Sequence, residues 1–176
     1  MRSVWLVAKA FCVAAWGHRH QRDKAGKRYI WHLVRVAWIA YGLTGDADAA
    51  VCGLLHDFFE DVDPSLGARI GRQFGLRVLW TIEALTHNDG TSYEKYIGKI
   101  IHSGQRLAQA VKLADLLDNT RPGRRPYPAN FTESNAVFNK VCCYQWAIER
   151  LTEVRSHGAP QCYHWPQSWC SGHSKE

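Results

Sequence analysis

No run in this chain approaches the roughly 20 consecutive apolar residues that a membrane-crossing helix requires. The nearest imitation, residues 1–16, has a basic residue and an apolar stretch like a secretory leader. Lys9 interrupts it, and Val4, Ala8, Phe11 and Ala15 fall at the spacing of an amphipathic first helix instead. Runs of strict apolar/polar alternation are also absent, which argues against half-buried strands. Missing too are a glycine-rich phosphate loop, a dinucleotide fingerprint and a Ser-His-Asp arrangement, so three common enzyme classes have no support. The six cysteines have no regular spacing across the chain and read as reduced intracellular thiols rather than a disulfide framework. No internal repeat or interdomain linker is visible in the 176 residues, a length that suits one domain.

What is present is helical punctuation. Thr44-Gly45-Asp46 stops one helix and caps the next. Asp63-Pro64 opens a helix that Gly75 interrupts, and Thr91 with Glu94 forms a capping box for a helix through Ile101. Ser103-Gly104 ends that helix, and another, carrying Asp115, follows. Residues 121–130 read as a loop, and a long helix spans about residues 132–154. The expected fold is all-α: a single helical-bundle domain over residues 1–154, followed by a poorly ordered C-terminal tail over 155–176. The tail holds Cys162, His164, Cys170 and His173, ligand types fit for zinc at a spacing that matches no known zinc module.

The stretch from Leu54 to Asp61, Leu-Leu-His-Asp-Phe-Phe-Glu-Asp, carries the strongest functional signal. Val51, Leu54, Leu55, Phe58 and Phe59 form a buried helical face, yet four ionisable groups sit among them, where an unpaired charge is costly. On one continuous helix His56 lies a turn from Glu60, and Asp57 a turn from Asp61. Two further residues share the anomaly. His32 lies in an apolar segment, and Asp115 continues the stripe of Leu107 and Val111 toward the core. Taken singly, His32 reads as a satisfied core histidine and Asp115 as half of a helix ion pair. Together His32, His56, Asp57 and Asp115 form a mixed nitrogen and oxygen set suited to manganese, iron or zinc.

The order His, His-Asp, Asp resembles the signature of the HD metal-dependent phosphohydrolase superfamily. Further blocks resemble its RelA/SpoT-type and small alarmone ((p)ppGpp) hydrolases over roughly residues 8–150: residues 18–32, 53–61, Phe74-Gly75, 84–86 and 111–119. The resemblance implies one divalent ion, manganese first, with zinc, iron(II) or cobalt as alternatives. It places Arg19, Gln21 and Lys24 in the nucleotide-contacting segment, Asn119 against the sugar-phosphate, and Lys140 and Tyr144 near contact positions on the last helix. Tyr29 is expected either to stack or simply to pack. The chain departs from the alarmone pattern at Asp23, where an arginine is usual, at Leu33, where proline is usual, and at Asp118, where His or Tyr is usual.

The favoured activity is therefore removal of the 3′-pyrophosphate from guanosine tetra- or pentaphosphate, with Glu60 and Asp61 orienting a water and exchanging its proton. Two alternatives stay open: a deoxynucleoside triphosphate triphosphohydrolase on the same site, and an idle nucleotide-binding module. Lys and Arg outnumber Asp and Glu 22 to 16, a formal charge of +6. These bases gather at 19–28 and 121–125 rather than in an arm, which fits attraction of a polyphosphate better than nucleic acid. A nucleotide substrate, the bacterial cytoplasm (or a host's, for a phage protein), no membrane and an open question of self-association complete the expectations.

Overall fold

Helix boundaries fall where the sequence supplies caps. In a computed structural model that describes residues 2–23, 25–87, 90–121 and 131–157, the chain runs through α1 (Arg2–Gly17), α2 (Ile30–Thr44), α3 (Ala47–Leu55), α4 (Phe58–Asp61), α5 (Gly67–Phe74), α6 (Leu76–Leu85), α7 (Tyr93–His102), α8 (Arg106–Asn119) and α9 (Phe131–His157). Gly45 takes the left-handed conformation (φ 67°) that ends α2, and its N–H donates to the Tyr41 carbonyl at 2.7 Å. Asp46 then caps α3 by accepting from the Asp48 N–H at 2.9 Å. No strand forms among the described residues; a lone antiparallel bridge joins Arg22 and Arg28. Residues 155–157 of the expected tail continue α9 instead, and residues 158–176, with Cys162, His164, Cys170 and His173, lie outside the described residues.

Two local expectations need correction. The helix carrying the His-Asp pair is not continuous: it breaks at His56-Asp57 between α3 and α4. Asp57 leaves helical geometry (φ −92°, ψ 3°), while the His56 ring turns back to the Gly53 carbonyl and Asp57 is drawn to Tyr29. Long-range hydrogen bonding overrides propensity there. The cap of α7 is Ser92, whose hydroxyl accepts from the Lys95 N–H at 3.4 Å, rather than Thr91.

α3 and α8 form the interior. Every residue of α3 from Ala49 to Leu55 is buried, and so is nearly all of α8 from Leu107 to Asp118. α2 packs against both, α1 covers α3, and α9 lies along α8. α3 is apolar nearly all round, the pattern of a helix that belongs inside. The buried Gln109 amide on α8 donates to the Ile101 carbonyl at 2.9 Å, using one of the open acceptors at the end of α7.

Gly53 sets how closely α3 approaches α2. A Cβ there would lie 2.6 Å from the Ala37 Cα and 2.8 Å from the Ala37 nitrogen, backbone atoms that no rotamer change can move. Gly53→Ala is therefore expected to cost about 1–3 kcal/mol of stability through overpacking, read as a lower urea midpoint. An unchanged midpoint would contradict the close approach.

Candidate metal centre

The crossing of α2, the α3–α4 break and α8 brings ligand atoms of His32, His56 and Asp57 within 4.8 Å of one another, with Asp115 beside both imidazoles. His32 comes from the first turn of α2, His56 and Asp57 from the break, and Asp115 from the interior of α8. The His56 Nε2 lies 3.1 Å from the Asp57 Oδ2 and 3.7 Å from the Asp115 Oδ1. The His32 Nε2 lies 3.3 Å from the same Asp115 oxygen and 3.9 Å from the Asp57 Oδ2. Ligand atoms bonded to one ion at about 2.1 Å stand roughly 3.0 Å apart at right angles and about 4.2 Å apart in line. The observed separations fall within that interval.

Each imidazole is oriented from behind. A carbonyl oxygen can only accept, so the Gly53 carbonyl 2.9 Å from the His56 Nδ1 places a proton on that nitrogen and leaves Nε2 as the free donor atom. This Nε2 is buried without a hydrogen-bond partner. An orphaned basic nitrogen facing two carboxylates is what a cation site requires, and the donor set fits a divalent transition metal. His32 shows the same orientation, with its Nδ1 2.7 Å from the Asp118 Oδ2.

The electrostatics agree. Burial alone would lower the His56 pKa, but the Asp57 and Asp115 carboxylates outweigh it and hold the ring well above its ordinary value. Burial likewise opposes ionisation of Asp57, yet His56 beside it pushes the carboxyl down to about 2. Asp115 lies well below the usual carboxylate range because the Lys112 ammonium, with the two imidazoles, overcomes its burial. The field that favours an added proton on His56 equally favours a divalent cation at its Nε2.

The HD domain family matches residues 10–121, well over half of the chain. The chain belongs to the HD domain family. Among its relatives, the guanosine-3′,5′-bis(diphosphate) 3′-pyrophosphohydrolase MESH1 of Xenopus tropicalis is 32% identical over 160 residues, covering 85% of each chain. A Synechocystis protein named Probable guanosine-3′,5′-bis(diphosphate) 3′-pyrophosphohydrolase is 34% identical over 125 residues, which is 66% of this chain but only 16% of that protein. A solved structure, described as a metazoan ortholog of SpoT that hydrolyzes ppGpp, shares the fold with a TM-score of 0.62. It is 22% identical and covers 88% of this chain and 97% of its own.

Around the centre of this HD domain, several residues do work that their sequence positions did not announce. Tyr29 donates its hydroxyl to the Asp57 Oδ2 at 2.5 Å, so it neither merely packs nor stands free to stack. Lys112 is partly buried, donates to the Asp115 Oδ2 at 2.9 Å and lies over the Tyr96 and Tyr93 rings at 5.1 and 6.0 Å. Asn119 donates its amide to the Asp115 Oδ1 at 2.6 Å. The Glu60 Oε1 accepts from the His87 N–H at 2.5 Å, and burial raises its pKa above the ordinary value. The Asp61 Oδ2 accepts from the Gln21 Nε2 at 2.8 Å, while the Gln21 Oε1 meets the His18 Nδ1 at 2.5 Å. The spacing of Lys112 from Asp115, three residues along one helix, was the available signal for that pair. Nothing in the sequence pointed to His18 or His87.

The expected substrate contacts are spread more widely. Arg19 is at the surface, donating to the Trp16 carbonyl at 2.9 Å and stacked 5.1 Å over the Trp16 ring. Tyr144 stacks on Tyr93 at 5.8 Å, beside the Lys112 side of the centre. Lys24 lies outside the described residues, and so does the side chain of Lys140 on α9. The departure at Asp23 has a local explanation: its Oδ1 accepts from the Ala25 and Lys27 N–H groups at 3.0 and 2.9 Å, closing the turn that follows.

His56→Ala, Asp57→Ala and Asp115→Ala should each lose the bound ion, since each removes a proposed ligand. Elemental analysis of the three purified proteins checks this. One ion per chain retained in all of them would overturn the assignment.

Proposed function

We propose that this chain is a metal-dependent phosphohydrolase that removes the 3′-pyrophosphate from guanosine-3′,5′-bis(diphosphate). The observation that carries the reading is the convergence of His32, His56, Asp57 and Asp115 on the orphaned His56 Nε2. It is supported by the relative named for this activity that matches 85% of the chain. In this reading the catalytic domain comprises residues 1–154 and works in the cytoplasm; among the described residues no helix is long and apolar enough to cross a membrane. The four ligands hold one divalent ion, manganese in first place and zinc, iron(II) or cobalt otherwise. Such an ion polarises the phosphoryl oxygen and makes water nucleophilic near neutral pH.

The chain's own residues carry the proton chemistry. Glu60, whose carboxyl is raised by burial, accepts the proton of the attacking water. The His87 N–H fixes one of its oxygens, leaving the other to take the proton. Asp61, steadied by Gln21 and through it by His18, orients the same water. Asn119 acts on the substrate side of α8 while holding Asp115, and Arg19, Lys24, Lys140 and Tyr144 complete the contacts to the nucleotide. The net charge of +6 favours approach of a polyanion.

Asp23 closes its own turn through Oδ1, which gives the acid at that position a local role. The purified protein with manganese, given the alarmone and a panel of nucleoside triphosphates, should release pyrophosphate from the alarmone. Release of triphosphate from a deoxynucleoside triphosphate, or no turnover at all, would overturn the assignment. Glu60→Gln should retain the ion yet lower turnover by about 100-fold or more, the range for loss of a general base. Unchanged turnover would place the proton acceptor elsewhere, and loss of the ion would make Glu60 a ligand.

A further inference from the structure

Asp118 is buried almost completely on the last turn of α8, and it reaches across to α2. Its Oδ2 lies 2.7 Å from the His32 Nδ1. Arg35, one turn beyond His32 on α2, grips the same carboxylate with two donors, Nε to Oδ1 at 2.5 Å and Nη2 to Oδ2 at 3.1 Å. Arg121 adds a further positive charge 3.7 Å from Oδ1. A carboxylate held on both oxygens by a planar guanidinium has little freedom to rotate. It therefore presents a fixed anionic acceptor to the His32 ring. Such an acceptor requires a proton on Nδ1 and leaves the Nε2 lone pair facing Asp115 and Asp57. The two imidazoles of the centre are thus held differently. His56 leans on a neutral carbonyl, whereas His32 leans on a full negative charge.

We propose that Asp118, braced by Arg35, is a positioning residue of the metal centre: it fixes the orientation and proton placement of His32, tightening metal binding. The proposal rests on the metal-centre reading above and adds to it a residue that touches neither ion nor substrate. An anionic partner behind a ligating imidazole typically strengthens metal affinity by about 10–100-fold. Arg35 offsets the charge of the buried Asp118 carboxylate through its two hydrogen bonds, one to each oxygen. The site is also the one place where the α8 motif, Leu-Ala-Asp-Leu-Leu-Asp-Asn, carries an acid instead of the His or Tyr that its resemblance leads one to expect.

The test compares manganese affinity, by competition with a chelator, in the wild type, Asp118→Asn and His56→Ala. Asp118→Asn keeps the side-chain shape and removes the charge, and it should bind manganese about 10–100-fold more weakly. In the zinc-loaded protein the His32 Nδ1 proton should resonate at low field in the wild type and move upfield in Asp118→Asn, a change that a purely structural role would not produce. Should Asp118→Asn fail to fold, Arg35→Met at a partly exposed position leaves the carboxylate unbraced and should weaken manganese binding in the same direction. Wild-type affinity in the folded variant, alongside loss of the ion in His56→Ala, overturns the role of Asp118 alone. Wild-type affinity in His56→Ala overturns the metal-centre reading itself.

Discussion

Two carboxylates and two imidazoles under a helical core are costly to hold there: each isolated buried charge carries a penalty of several kcal/mol, and the rest of this structure is arranged around offsetting it. Asp115 and Asp57 face the His32 and His56 nitrogens across 3.1–3.9 Å. The carboxylates have further partners: Lys112 and Asn119 donate to Asp115, Tyr29 to Asp57, and His32 and Arg35 face Asp118. The same cluster that would destabilise an apolar core becomes favourable when a divalent cation joins it. On the proposed reading, this balance couples folding to metal binding.

The architecture follows from that requirement. Bringing His32 within reach of His56 demands a close α2–α3 crossing, which Gly53 permits by having no side chain against Ala37. Breaking the helix at His56-Asp57 lets adjacent residues point into one centre while Glu60 and Asp61 end a separate short helix alongside. Each of these two acids is then held by a partner distant in sequence, Glu60 by the His87 backbone and Asp61 by Gln21. Placement of the proposed proton acceptor is thus a tertiary property of several loops rather than of one helix.

Much of the centre was legible because charge among apolar residues is itself an anomaly: His32 and Asp115 stand out on stripes that should be purely hydrophobic. The all-α fold was legible from caps such as Gly45-Asp46, whose geometry is local. The break at His56-Asp57 was not, because the hydrogen bond that draws Asp57 to Tyr29, 28 residues away, has no local signature. Ser92 rather than Thr91 caps α7, a one-residue difference between two side chains able to do the same job. Gln21 and Asn119 were expected to face a substrate, yet each also holds a carboxylate of the site. Asp118 was visible only as a departure from pattern; its meaning depends on a pairing with His32 that spans 86 residues.

The central claim is that one divalent ion is held jointly by His32, His56, Asp57 and Asp115. The most direct test is an anomalous difference map from crystals of the manganese-loaded protein. The account predicts a single strong peak about 2.1 Å from the His32 and His56 Nε2 atoms and from one oxygen each of Asp57 and Asp115. A manganese peak away from these four atoms, or none in protein shown to contain the metal, would contradict it.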